Sequence, residues 1–418
     1  MKLSKSSKKY IQFITNHYTE IEHLDEETDK QLRKIYDEIH SSKLFLKSIK
    51  KKEKSIAYRK QYIKITNVEQ ISKPTTFNSG AFPSKIRIHI DESIENMITY
   101  SISLFESNIK VHFMFENINN EIEMIKYDRY FDMIIQWFYI INTYSINKCV
   151  KDLTVYIYMT SLNKRIPTNS IEVLGEDHIN TAFTYACPIN KHAEIVIYRA
   201  EEWFKVFIHE TFHTFGLDFS MMSSSLTKCN NEILSMFKVK SDVNLYEAYS
   251  EFWAKIFNAA FCTYNLSDKL DAYDFATKLH ILIYWEKYYT TFQMVKILKF
   301  LGLTYNNLYS NSKSSEMLRN NLYKENTSIL AYYVINTVLM INYGSFLNWC
   351  DKNNLNFFQF KHTIGNIMNF CEFIKKKYKS NKTITEIQKT QNIVSSLKNN
   401  IQNNDILMNT RMSVCELV

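Results

Sequence analysis

His209-Glu210-Thr211-Phe212-His213, inside the run Trp203 to Gly216, is the stretch on which the reading of this chain turns. The two histidines are four residues apart, so on a helix both imidazoles leave the same face and can grip one cation. Glu210 projects beside them, where a carboxylate can take a proton from a water and pass it to a leaving group. Zinc is the expected ion, because it takes nitrogen and oxygen ligands and lowers the pKa of a coordinated water to about 7. The flanks Trp203, Phe204, Val206, Phe207, Ile208, Phe212 and Phe215 are apolar, which predicts a core helix. Buried histidines need partners, and a metal supplies one to both. Chance writes this string roughly once or twice in a hundred such chains, so a third ligand is needed to support it.

That ligand is sought in Tyr246-Glu247-Ala248-Tyr249-Ser250-Glu251-Phe252-Trp253. Glu247 and Glu251 share a helix face among apolar neighbours, and inward carboxylates are costly unless paired or on a metal. Glu247 is expected as the ligand and Glu251 as the acceptor for a histidine N–H.

The rest of the chain reads as α+β. Residues 1–74 form a basic helical arm, with apolar stripes at Ile11, Ile14, Ile21, Leu24 and at Leu32, Ile35, Ile39, Leu46. A Pro-containing segment at 73–83 marks the first boundary. Residues 75–220 alternate strands and helices. Ile86, Ile88 and Ile90 suggest a strand, and Met97–Phe105 and Ile109–Phe115 a hairpin turning at Glu106-Ser107-Asn108. A helix is expected over 122–143, with Ile125, Phe131, Ile134, Ile135 and Phe138 inward. Strands are expected at Leu153–Met159, Ile179–Tyr185 and Ile195–Tyr198, and the motif helix at 201–215. Residues 221–375 read as a helical subdomain. Residues 376–418 are a polar tail in which Ile387, Val394, Leu397 and Ile401 suggest one amphipathic helix docking on the body or a partner.

Composition narrows the function. The six glycines are scattered, so no Gly-rich loop can cradle a phosphate and no nucleotide cofactor is expected. Residues 1–75 hold seventeen Lys/Arg and ten Asp/Glu, an excess of seven in a chain of net charge +8. A run such as Lys50-Lys51-Lys52-Glu53-Lys54 suits an anionic partner, or simply a solvated helix face. The seven cysteines are scattered without a C-x-x-C pair, which suits a reducing compartment better than a disulfide framework. No stretch of about 18 apolar residues suggests a membrane span. The expected location is cytoplasmic, without secretion through a signal peptide.

The motif, with Glu247-Ala248-Tyr249-Ser250-Glu251-Phe252 after it, resembles the zincin metallopeptidases, and among them the gluzincins, over about residues 85–265. The resemblance implies a zincin-like mixed sheet with an active-site helix, a helical lower subdomain, a peptide or protein substrate, and hydrolysis with Glu210 as general base. It also implies that Asn180, Ala182 and Thr184 lie on an edge strand pairing with substrate backbone. There are departures. Gly216 stands where metzincins have glycine, but their third histidine is replaced by Phe219. Asp218, one residue short of it, is an alternative ligand or, more simply, a capping or supporting residue, with Gly216 as helix C-cap. Tyr246 replaces the asparagine usual before the first glutamate. The family's oxyanion donor is unassigned; Tyr332 and Tyr333, after the polar island Glu325–Ser328, are the candidates. Composition and motif together also resemble zincin-type proteins of large DNA viruses. The competing readings are a catalytically inactive zincin-fold structural or virion-associated protein and a basic nucleic-acid binder. The intact Glu210 speaks against the first, and the confinement of charge to the N-terminal arm against the second.

Overall fold

The computed structural model describes residues 1–52, 58–116, 122–145, 149–169, 171–267, 270–397 and 401–418, so Glu53 and Lys54 of the basic run lie outside the described residues. The chain folds as α+β, with one mixed sheet and many helices. It divides into two units that are not consecutive stretches. One holds Arg33–Asn163 and Thr181–Leu217, the other Met1–Leu32, Lys164–Asn180 and Asp218–Leu417.

The first unit carries the sheet, in the order β1 (Arg59–Lys64), β2 (Asn96–Leu104), β3 (Ser107–Phe115), β4 (Asp152–Met159), β6 (His192–Ile197), β5 (Ala182–Thr184). β2 and β3 are an antiparallel hairpin. Its turn is Phe105-Glu106, one or two residues earlier than expected, and both residues have positive φ, as a two-residue hairpin of this hand demands. β3, β4 and β6 run parallel. The β3–β4 crossover contains the helix Ile122–Tyr144, which is what a parallel pair requires. β5 returns antiparallel to β6 and forms one edge.

Both faces of the sheet are covered, so its inner strands are near-continuously apolar. On one face Phe113 packs on Trp203 (5.7 Å between ring centroids), and Phe138 of the backing helix packs on Phe207 (5.6 Å). On the other, Met97, Met114, Tyr156, Tyr158, Val196 and Tyr198 cluster with Ile65, Ile71, Ile86 and Ile90. Each large side chain fully buried this way contributes about 1.5–3 kcal/mol.

Several expectations are corrected here. Ile86, Ile88 and Ile90 lie on a helix, Ser84–Ser93, and not a strand. Positions 86 and 90 share a face under either period, and only the exposure of Ile88 separates the two. β1 falls inside the stretch read as helical; its residues are exposed on both faces apart from a half-buried Ile63, so there was little alternation to see. Ile125 of the backing helix is exposed, whereas Phe131, Ile134, Ile135 and Phe138 are buried. Asn180 lies outside β5, since the expected strand from Ile179 begins only at Ala182, after a helical turn Glu176–Ile179.

His112 sits on β3 with its Nδ1 2.9 Å from Thr99 Oγ1 and its ring stacked on Tyr156. Burial, and secondarily the charge of Lys110, pushes its pKa from 6.5 down to about 4. The unfolded chain therefore takes up this proton earlier than the folded one as pH falls. The contribution is complete above about 6.5 and is lost progressively down to about 4, on the order of 3 kcal/mol at most. Urea titrations from pH 7 to 4 are expected to show falling stability, and His112→Gln to flatten part of that fall. An unchanged slope in the variant would count against a buried neutral imidazole.

The second unit is helical. The helix Leu245–Asn265 is buried along nearly its whole length and packs against Ala272–Phe300. The tail helix runs over Asn381–Ser396, buries Ile387 and Val394, and packs on Ala272–Phe300 as well. It ends at Ser396, before Ile401, because Leu397 is extended. Beyond it, residues 410–415 are buried in this unit, and the Glu286 carboxylate accepts the amides of Val414 and Cys415. Among the described residues no single helix is long and apolar enough to cross a membrane.

Candidate metal centre

Every residue of the motif helix, Trp203–Thr214, is buried, as its flanking side chains require. His209 and His213 lie one turn apart with their Nε2 atoms 3.1 Å from each other and their rings at 77°. Glu210 is buried beside them, 8% exposed. Two nitrogens on one tetrahedral zinc, at about 2.0–2.1 Å each, would stand roughly 3.3 Å apart. The 3.1 Å separation is that of an N–H···N hydrogen bond between the rings, and it is also close to that of two nitrogens on one ion.

The opposite side of the helix is held by hydrogen bonds. Trp137 Nε1 donates to Thr211 Oγ1 (2.8 Å), which donates to the Ile208 carbonyl (2.6 Å). Thr214 Oγ1 donates to the Glu210 carbonyl (2.9 Å) and lies 3.0 Å from Thr184 Oγ1 on β5. Thr184 thus anchors the edge strand to the motif helix. At the C-terminus Gly216, at φ +63°, gives its amide to the His213 carbonyl, and Leu217 gives its amide to Phe212. This paired closure is the glycine-dependent C-cap expected of Gly216.

The His213 carbonyl also accepts the amide of Cys187 (3.1 Å), and Cys187 is bonded to Cys149. This one disulfide departs from the expectation that the scattered cysteines suit a reducing compartment better than a disulfide framework. A separation of 38 residues carries no sign of proximity, which only the sheet provides. The remaining five cysteines are buried thiols.

In the helical unit, Glu247 occupies the first turn of Leu245–Asn265 and is half-buried. Its Oε2 accepts a hydrogen bond from the Tyr332 hydroxyl (3.0 Å). Tyr332 lies on a π-helical turn, Leu330–Ile335, a distortion frequent at functional sites. Its neighbour Tyr333 points elsewhere, donating to the Thr410 carbonyl (2.7 Å). Asp218 is fully buried. One of its oxygens accepts from Ser220 N and Oγ, the other from Ser250 Oγ (2.8 Å), which is the arrangement of a capping residue. Phe219 packs on Phe360, and Asn180 accepts from Thr327 Oγ1.

Glu251 is 1% exposed and lies 3.7 Å from the ammonium of Lys255, itself 1% exposed. Lys255 also donates to Thr290 Oγ1 and Asn336 Oδ1. The sequence reading missed this lysine, although Glu251 and Lys255 are one helical turn apart and the spacing was there to be seen. Removing one partner of a buried ion pair costs up to about 3–5 kcal/mol, and less here because Lys255 also faces the Glu286 carboxylate. Glu251→Ala is therefore expected to lower the denaturation midpoint markedly. A midpoint within error of the parent would show that the pair contributes nothing.

No protein-family model matches this chain, and no curated protein or solved structure matches it either.

Proposed function

We propose that the chain is a zinc-dependent metallopeptidase of zincin type, with His209, His213 and Glu247 as metal ligands and Glu210 as general base. The observation that carries the proposal is the buried imidazole pair with its Nε2 atoms 3.1 Å apart, with a buried glutamate next to the first histidine. Glu247, a half-buried carboxylate in the first turn of Leu245–Asn265, is the third ligand that the gluzincin resemblance implies. The Tyr332 hydroxyl on one of its oxygens would orient the other, as partners of ligating carboxylates do.

Zinc, when bound, supplies a Lewis acid that brings the pKa of a water to about 7 and polarises a carbonyl. The chain's own groups do the rest. Glu210 takes the proton of the attacking water and delivers it to the departing amine. Tyr332 is the better candidate of the two tyrosines for the oxyanion, since its hydroxyl lies on the proposed ligand Glu247 whereas that of Tyr333 lies on the Thr410 carbonyl; to serve, it would have to turn from Glu247 to the substrate. β5, at the sheet edge, offers Ala182 and Thr184 for pairing with an extended peptide backbone.

Elemental analysis of the purified chain tests the metal first. About one zinc per chain is expected, removable by chelation. Absence of any stoichiometric transition metal after purification in zinc-containing buffer would end the proposal. Zinc at one per chain with no cleavage of a broad peptide library would leave a structural metal and remove the enzymatic part.

A further inference from the structure

Cys229 and Cys371 lie one on each of two packed helices, Thr227–Met236 and Ile364–Lys377. Both side chains are buried, and their sulfurs stand 2.8 Å apart. Three residues after Cys229 and four after Cys371, Glu232 and Lys375 form an ion pair at 2.7 Å. These offsets put cysteine pair and ion pair on one seam between the helices. Non-bonded heavy atoms ordinarily keep about 3.5–4.0 Å. The two sulfurs are well inside that range, and less than about 1 Å of further approach reaches bonding distance.

We propose that Cys229 and Cys371 form a second disulfide, a covalent staple between the two helices, made by exchange with a small-molecule or protein disulfide. One cysteine thiolate attacks the reagent disulfide, giving a mixed disulfide and expelling one thiolate. The second cysteine then attacks the protein sulfur of that mixed bond and expels the other. The pair loses two electrons and two protons, and both appear on the two reduced thiols of the reagent. The neighbouring sulfur and burial push the Cys229 thiol up, so within the closed seam it is protonated and a poor nucleophile. The bond accordingly forms while the seam is open, during folding or local opening. The closed loop spans 142 residues and includes the helix that carries Glu247, yet the staple stands independently of any metal at that residue.

The full chain, refolded in glutathione buffers from fully reduced to fully oxidised, tests it. Free thiols are alkylated, the protein is digested without reductant, and the peptides are weighed. A linked pair carrying Cys229 and Cys371 is expected, lost on reduction, with Cys350 alkylated throughout. Recovery of Cys229 and Cys371 both alkylated even in fully oxidised glutathione overturns the proposal. As a second measurement, reductant is expected to lower the Tm of the parent by about 5 °C more than that of Cys371→Ala. Equal losses in the two proteins also overturn it.

Discussion

Glu210→Gln is expected to retain zinc at the parental stoichiometry and to lose peptide hydrolysis by about 10²–10⁴-fold, the usual worth of a general acid–base group. Gln is nearly isosteric with Glu, so the helix packing at position 210 changes little. The main-chain bond from Thr214 Oγ1 to the residue 210 carbonyl is independent of the side chain. What disappears is the proposed proton acceptor. The loss should fall mainly on kcat, because the interaction matters most as the proton moves. Parent and variant are compared in one peptide-library assay with zinc measured on the same samples. A variant that cleaves as fast as the parent would remove Glu210 from the reaction. A variant that loses zinc would mean that Glu210 is itself a ligand.

How far the sequence announced this molecule depended on how local the deciding forces are. The motif helix was legible because the spacing of His209 and His213 and its apolar flanks state its periodicity and its burial together, and Gly216 marks its end. The β2–β3 hairpin was legible from β-branched and aromatic runs around a short polar turn. β1 was not, since Arg59–Lys64 is almost wholly exposed and has little apolar alternation. Ile86 and Ile90 were ambiguous because strand and helix periods coincide at a spacing of four. Tertiary pairings were beyond reach for a different reason. Trp137 meeting Thr211, and Cys149 meeting Cys187, are set by which strands neighbour each other, and nothing near these residues encodes that.

At the candidate metal centre the split runs the same way. The residues proposed as ligands were readable, and Tyr332 came into view as one of two adjacent tyrosines on a polar island. Which of them turns toward Glu247 follows from the π-helical turn at Leu330–Ile335, which a sequence does not display. Glu251 has a partner that the sequence reading did not name. It was assigned to a histidine on the ground that a buried carboxylate needs a partner, and that ground was sound. A candidate partner lay four residues away, in Lys255, and the pairing makes Glu251 a stability determinant in its own unit.

His213→Ala should have the largest effect on the metal. The substitution removes one of the two imidazoles whose nitrogens are 3.1 Å apart, leaving His209 on a helix face that still cannot reach water freely. Loss of a proposed direct ligand should weaken zinc binding by more than the roughly 10–100-fold that supporting groups cost, and any activity should fall with it. Stability provides a second readout. An ion that binds only the folded chain stabilises it by RT ln(1 + [L]/Kd), about 4 kcal/mol at a thousandfold excess over Kd. Chelation should therefore lower the Tm of the parent and leave that of His213→Ala nearly unchanged. The Gly216 closure should survive, because the carbonyl at 213 that accepts the Gly216 and Cys187 amides belongs to the main chain. A His213→Ala protein that still carries one zinc per chain and still responds to chelation would place the metal elsewhere and dissolve the proposed centre.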